Sequence, residues 1–157
     1  MDKITIAFDI APTSRVCPFR VEVWLDHLEL LSVDRVTDSV HFKHELDNSG
    51  EHELRIVLQG KLPEHTKIDE QGNIISDATL FFSNVIIDGF PEDIFFQKMS
   101  VYTHNFNGTQ PEIADSFHGI AGCNGVIKFS ILHSLFPVDV GKHVTINIEQ
   151  AINCYYT

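Results

Sequence analysis

"FRVEVWLD", residues 19–26, decides the reading of this chain. Apolar and polar residues alternate strictly, so that Phe19, Val21, Val23 and Leu25 share one face and Arg20, Glu22, Trp24 and Asp26 the other. A period of two is the signature of a β-strand with one face buried and one in water. The same period recurs on both sides. In "KITIAFDI" it aligns Ile4, Ile6, Phe8 and Ile10. In "SVHFKHEL" it aligns Val40, Phe42 and Leu46, opposite His41, Lys43 and Glu45, and in "HELRIVLQ" it aligns Leu54, Ile56 and Leu58. In "HVTINIEQ" it groups Val144, Ile146 and Ile148 against His143, Thr145, Asn147 and Glu149.

"TLFFSNVIIDG" breaks the pattern, being apolar on both faces, and reads as a central strand covered on both sides or as part of an oligomer interface. "KMSVYTH" and "VIKFSILH" bring the expected number of strands to about nine. Turn signals separate them: "LDNSGE", "DEQGN", "DGFPED", "FNGTQPE" and "GCNG". No segment carries a long 3.6-residue stripe, and only single helical turns are expected, near "FPED" and "HSLFP". The predicted architecture is all-β: one antiparallel β-sandwich of jelly-roll type over residues 1–157. A long irregular loop is expected at about 105–125, with a short C-terminal tail.

Bulk properties narrow the function. A length of 157 residues, 43% of them hydrophobic, suffices for a real core. Twelve Phe suit a thick β-core or a partner interface. With 22 acidic against 11 basic residues, the net charge of −11 repels phosphate backbones and anionic membranes, which argues against nucleic-acid or membrane partners. "MDKITIAFDI" lacks the basic and long apolar regions of a signal peptide, and no apolar run is long enough to span a bilayer. Cys17, Cys123 and Cys154 are odd in number and far apart, which does not suit a disulfide framework and fits synthesis in a reducing cytosol better.

Four features have chemical potential. In "KIDEQGNIISD", residues 67–77, the side chains of Asp69, Glu70, Asn73 and Asp77 supply hard oxygens of the kind calcium takes. The loop lacks the register of an EF-hand. Its alternative is a hairpin turn in which Gly72 takes positive φ while Asp69 and Asn73 bond the backbone. Trp24, the only tryptophan, lies on a polar strand face, where it can stack on a sugar ring or pack against a neighbouring segment or subunit. Nine histidines show no zinc-ligand spacing, and His41 and His44 point to opposite faces of one strand. Cys123 with His118 is a formal nucleophile pair, but the acidic surroundings "PEIADSFHG" disfavour a thiolate. No carboxylate pair stands at a recognisable catalytic spacing, and a non-enzymatic role is expected.

Three segments in order, "VEVWLDHLELLSVDRV", "HFKHELDNSGEHELRIVLQGK" and "DEQGNIISDATLFFSNVIIDG", resemble small jelly-roll proteins that recur among virion proteins of tailed bacteriophages. Those in turn are similar to calcium-dependent carbohydrate-binding modules. The resemblance covers about residues 19–89. It implies a structural component of a virion, made in the host cytoplasm: a tail, fibre-associated or capsid-decorating protein that binds copies of itself and other virion proteins. The contacts are expected through the phenylalanines, strand 79–88, loop 105–125 and the tail "AINCYYT". Its other implication is calcium-dependent binding of a surface glycan, with Asp69, Glu70, Asn73 and Asp77 as the calcium ligands to test and Trp24 as the sugar platform.

Overall fold

A computed structural model describes residues 3–47 and 50–132. The expected strand "HVTINIEQ", the helical turn at "HSLFP", the tail and Cys154 lie outside the described residues. Strands β1 (Lys3–Pro12), β2 (Arg20–Leu25), β3 (Leu28–Val33), β4 (Val40–Asp47) and β5 (Glu51–Gln59) come first. A short hairpin, β6 (Thr66–Ile68) and β7 (Ile74–Asp77), precedes β8 (Leu80–Ile87) and β9 (Phe90–Pro91). Helix α1 (Asp93–Met99) follows, then β10 (Val101–His104), β11 (Ile113–Ser116), β12 (Ile120–Ala121) and β13 (Gly125–Leu132).

Two antiparallel sheets face each other. One runs β12-β8-β1-β4 with β9 on the side of β8, the other β11-β10-β13-β5-β2-β3, and β6-β7 form a separate two-stranded ribbon. The all-β sandwich is therefore as expected. The alternation of β2 is realised residue by residue, with Val21, Val23 and Leu25 buried and Arg20, Glu22 and Trp24 on the outer face. Phe8, Phe19, Phe117 and Phe129 are fully buried between the sheets. Each such side chain contributes roughly 1.5–3 kcal/mol from removal of its apolar surface from water.

Three local expectations change. The strands number thirteen among the described residues, because β3, the β6-β7 ribbon and the short strands β9, β11 and β12 add to the predicted set. Stretch 105–125 is not one irregular loop, since it holds β11 and β12. The single turn expected near "FPED" gives way to β9 at Phe90–Pro91, and only Asp93 of that stretch belongs to α1, whose seven residues are too few to be helical alone. Phe96 holds it down: the ring is buried against Phe129 at 5.2 Å, Phe117 at 6.0 Å and Phe8 at 6.2 Å.

The two-faced hydrophobicity of 79–89 has a geometric cause. Ala7 pairs with Ile86 and Asp9 with Ser83, so β8 carries one residue more than β1 across that interval. This is a β-bulge, and it places Ser83 and Asn84 both outward before the alternation resumes out of phase. Asn84 takes φ 52°, a conformation asparagine tolerates better than most residues, and donates to Asp9 Oδ2 at 2.8 Å. Leu80, Phe82, Val85 and Ile87 enter the core, while Phe81 and Ile86 remain exposed on the outer face.

Candidate functional site

The polar loop and the core meet at Lys61. Gly60 turns the chain at φ 92°, where a Cβ would stand 2.2 Å from the Pro18 carbonyl oxygen. That turn sends the Lys61 side chain inward, where none of it is exposed. Its ammonium donates to Asp77 Oδ1 and to the Gly122 carbonyl. Thr66 Oγ1 donates to the same carboxylate at 2.7 Å. The Lys61 main chain is held by Asn124, whose Oδ1 accepts the Lys61 N–H at 2.9 Å while its Nδ2 donates to the Lys61 carbonyl at 2.9 Å. A buried charge needs such a complete set of partners. Nothing in the sequence announces the pair, since its members stand sixteen residues apart with no motif between them.

From this anchor the β6-β7 ribbon extends, and most of it is exposed. At its tip the turn expected from the sequence is present. Gly72 has φ 84°, Asp69 Oδ1 accepts the N–H of Gln71 at 2.9 Å and of Asn73 at 2.8 Å, and Asn73 Nδ2 donates to Asp69 Oδ2 at 3.1 Å. The Asn73 bonds hold the Asp69 carboxyl below the usual carboxylate range.

The structure does not bring the four candidate calcium ligands together. Asp69 and Asn73 close the tip, with the exposed Glu70 beside them, whereas Asp77 pairs with Thr66 at the base of the ribbon. Three residue steps separate the two ends, about 10 Å along a strand. Asp69 is engaged by amides and Asp77 by an ammonium, so the set does not fit a calcium cage. Among the described residues no group of three or more His, Cys, Asp or Glu is placed to hold a metal ion. Between the ribbon and residues 13–16 lies an open cleft of about 300 Å³, lined among others by Ser14, His65, Lys67, Ser76 and Asp77.

Trp24 stands on the outer face of the six-stranded sheet. Its Nε1 donates to Glu22 Oε2 at 3.1 Å, and the Arg55 guanidinium lies 5.5 Å from the indole centroid. Glu22 also accepts from Arg20 at 2.9 Å, and Arg20 donates to Asp34 at 2.7 Å. The Arg20 bonds, and after them the indole N–H, hold the Glu22 carboxyl below its ordinary value. Cross-strand register places Glu29, Trp24, Arg55 and Lys128 in one row across β3, β2, β5 and β13. The result is one half-exposed aromatic ring, fixed in orientation and bordered by charges of both signs.

The surroundings of Cys123 oppose a thiolate. Burial pushes its thiol up, and its backbone is fastened to Tyr102, whose hydroxyl receives the Cys123 N–H at 3.0 Å and donates to the Cys123 carbonyl. Cys17 is wholly buried, and burial raises its thiol as well. Both are free thiols.

No protein-family model matches this chain. No curated protein matches it either. Among solved structures, the chain is similar to a carbohydrate-binding module described as vCBM60 in complex with galactobiose, with 14% identity, a TM-score of 0.47, and coverage of 81% of this chain and 99% of that one. A second structure of vCBM60 matches at 13% identity and TM-score 0.47, covering 80% of this chain and 89% of that one. Its description speaks of circular permutation linking two families of calcium-dependent carbohydrate-binding modules. Galactobiose and calcium belong to those proteins.

Proposed function

We propose that this domain is a non-catalytic recognition module that holds a carbohydrate on the outer face of its six-stranded sheet. The observation that carries this is Trp24: a half-exposed indole, oriented by Glu22 and Arg55, within a row of charged groups that can bond hydroxyls on either side. Ligand sites of this kind join an aromatic surface to a few placed polar groups. Calcium is not needed for this geometry. Isothermal titration with a panel of neutral oligosaccharides tests it. Trp24→Ala is expected to weaken binding at least tenfold, the order of 1.4 kcal/mol, with the melting temperature little changed. Binding unaffected by that change, or no binding by the wild type to any member, defeats the reading. EDTA is expected to leave affinity unaltered.

A second reading is assembly within a tailed-phage virion, as a tail, fibre-associated or capsid-decorating protein that binds its own copies or neighbouring proteins. The β6-β7 ribbon favours it, because Ile68, Ile74 and Ile75 are 60%, 65% and 68% exposed on a projecting arm. Light scattering after size exclusion tests self-assembly, for which a mass above that of one chain is expected. A strict monomer at high concentration that also fails to bind purified virion proteins sinks it.

A further inference from the structure

A cluster of groups at the β2-β3 turn and the end of β4 ties the two sheets together. His52, near the start of β5, has both ring nitrogens engaged: Nδ1 lies 2.8 Å from Asp26 Oδ2, and Nε2 lies 3.0 Å from the Asp47 carbonyl oxygen. A carboxylate and a carbonyl can only accept. A neutral imidazole carries one N–H, so both bonds form together only when the ring is an imidazolium. The partners come from different sheets, since Asp47 ends β4 in the five-stranded sheet and Asp26 follows β2 in the six-stranded one.

Asp26 is placed independently of the proton. It sits at φ 52° in the β2-β3 turn, its N–H donates to the Glu53 carbonyl at 2.9 Å, and its Oδ1 accepts the Glu53 N–H at 2.9 Å. On loss of a proton, His52 must give up one bond, and the carboxylate is the better acceptor to keep. The bond released is the one to Asp47. We propose that Asp26, His52 and Asp47 form a proton-operated latch that fastens the end of β4 to the opposite sheet while His52 is charged and frees it when His52 is neutral.

The two carboxylates at the ring, Asp26 and Asp47, act in the direction this requires. Asp26 and Asp47 face the ring, His27 lies beside Asp26 in the same turn, Glu51 and Glu53 flank His52 on β5, and the apolar Ile131 is its partner on β13. The Asp26 bond holds the imidazole above its ordinary value; burial, the next largest effect, works against it, and the Asp47 bond and the two carboxylate charges add to the Asp26 bond. The His52 bond, then the Glu53 amide, holds the Asp26 carboxyl below its ordinary value. The contribution of His52 to stability is therefore complete below the unfolded histidine value of about 6.5 and disappears as pH rises through the higher folded value. That of Asp26 is present above the unfolded aspartate value and disappears as pH falls through the lower folded one. The latch is closed between these limits.

An NMR titration of the wild-type chain, following the imidazole ¹⁵N resonances and the Asp47 carbonyl ¹³C resonance, tests the latch. At pH 6 both His52 nitrogens are expected to carry protons, with a midpoint above about 6.5. The Asp47 carbonyl should shift with the same midpoint, and Asp26→Asn should lower that midpoint. A single N–H on His52 at pH 6, a midpoint at or below the ordinary value, or a carbonyl that does not move with the ring overturns the proposal. An unchanged midpoint in Asp26→Asn does so too. Should that variant fail to fold, the wild-type titration decides alone.

Discussion

The sandwich interior and the β6-β7 ribbon are both rich in isoleucine, and they use it in opposite ways. Ile4, Ile6, Ile10, Ile56 and Ile127 are excluded from water, whereas Ile68, Ile74 and Ile75 face it. Residue type alone does not decide burial. What decides it is whether a second layer stands opposite, and the ribbon has none among the described residues. The interior is held by many interchangeable apolar contacts, and the ribbon by a few polar ones concentrated at Lys61, Asp77 and Thr66.

That contrast can be broken at either end. The largest effect is expected in the interior. Phe96→Ala removes the ring that joins α1 to Phe8, Phe117 and Phe129 and should cost about 3–5 kcal/mol, measured by urea denaturation. A loss below about 1 kcal/mol would mean that α1 does not rely on this contact. Next comes Lys61→Met, which strips the Asp77 carboxylate of its buried cation. Breaking such a pair costs roughly 3–5 kcal/mol when both groups are dry. Asp77 keeps some exposure, so the loss should fall below that range. Hydrogen exchange distinguishes the regions: the Asp69 and Gly72 amides at the tip should lose protection while β5 and β13 keep theirs. Equal loss everywhere would show that ribbon and sandwich are one cooperative unit. The smallest effect belongs to Ile74→Ser with Ile75→Ser, expected to shift stability by no more than about 0.5 kcal/mol each. A larger penalty in the monomer would show that these side chains are packed after all.

The sequence conveyed the fold where strands are long and one-sided. β1, β2, β4 and β5 each alternate over six residues or more, and the alternation maps directly onto burial. It failed where the backbone breaks phase. β3 was missed because it is a sheet edge opposite a bulge at Val23/Trp24, so "LELLSV" shows no period. β8 looked apolar on both faces because the bulge at Asn84 shifts the phase of its second half. α1 was reduced to one turn because a seven-residue helix owes its existence to tertiary contacts of Phe96 rather than to a stripe. At the candidate sites, the turn at Gly72 and the outward face of Trp24 were legible from local spacing. The commitment of Asp77 to Lys61 and the double engagement of His52 were not, since both are set by which strands meet.

The pairing of Asn124 with Lys61 has one more consequence. An asparagine amide carries the same N–H and C=O as a peptide unit, and here it makes the two bonds that an adjacent strand would make. The Asn124 N–H is in turn received by Asn107 Oδ1 at 2.8 Å. The loop before β13 is thus stitched to the end of β5 by side chains acting as spare lengths of main chain. A register normally written in the backbone is written here in a side chain, where hydrolysis of a single amide to a carboxylate would remove the donor to the Lys61 carbonyl and leave only the bond from the Lys61 N–H.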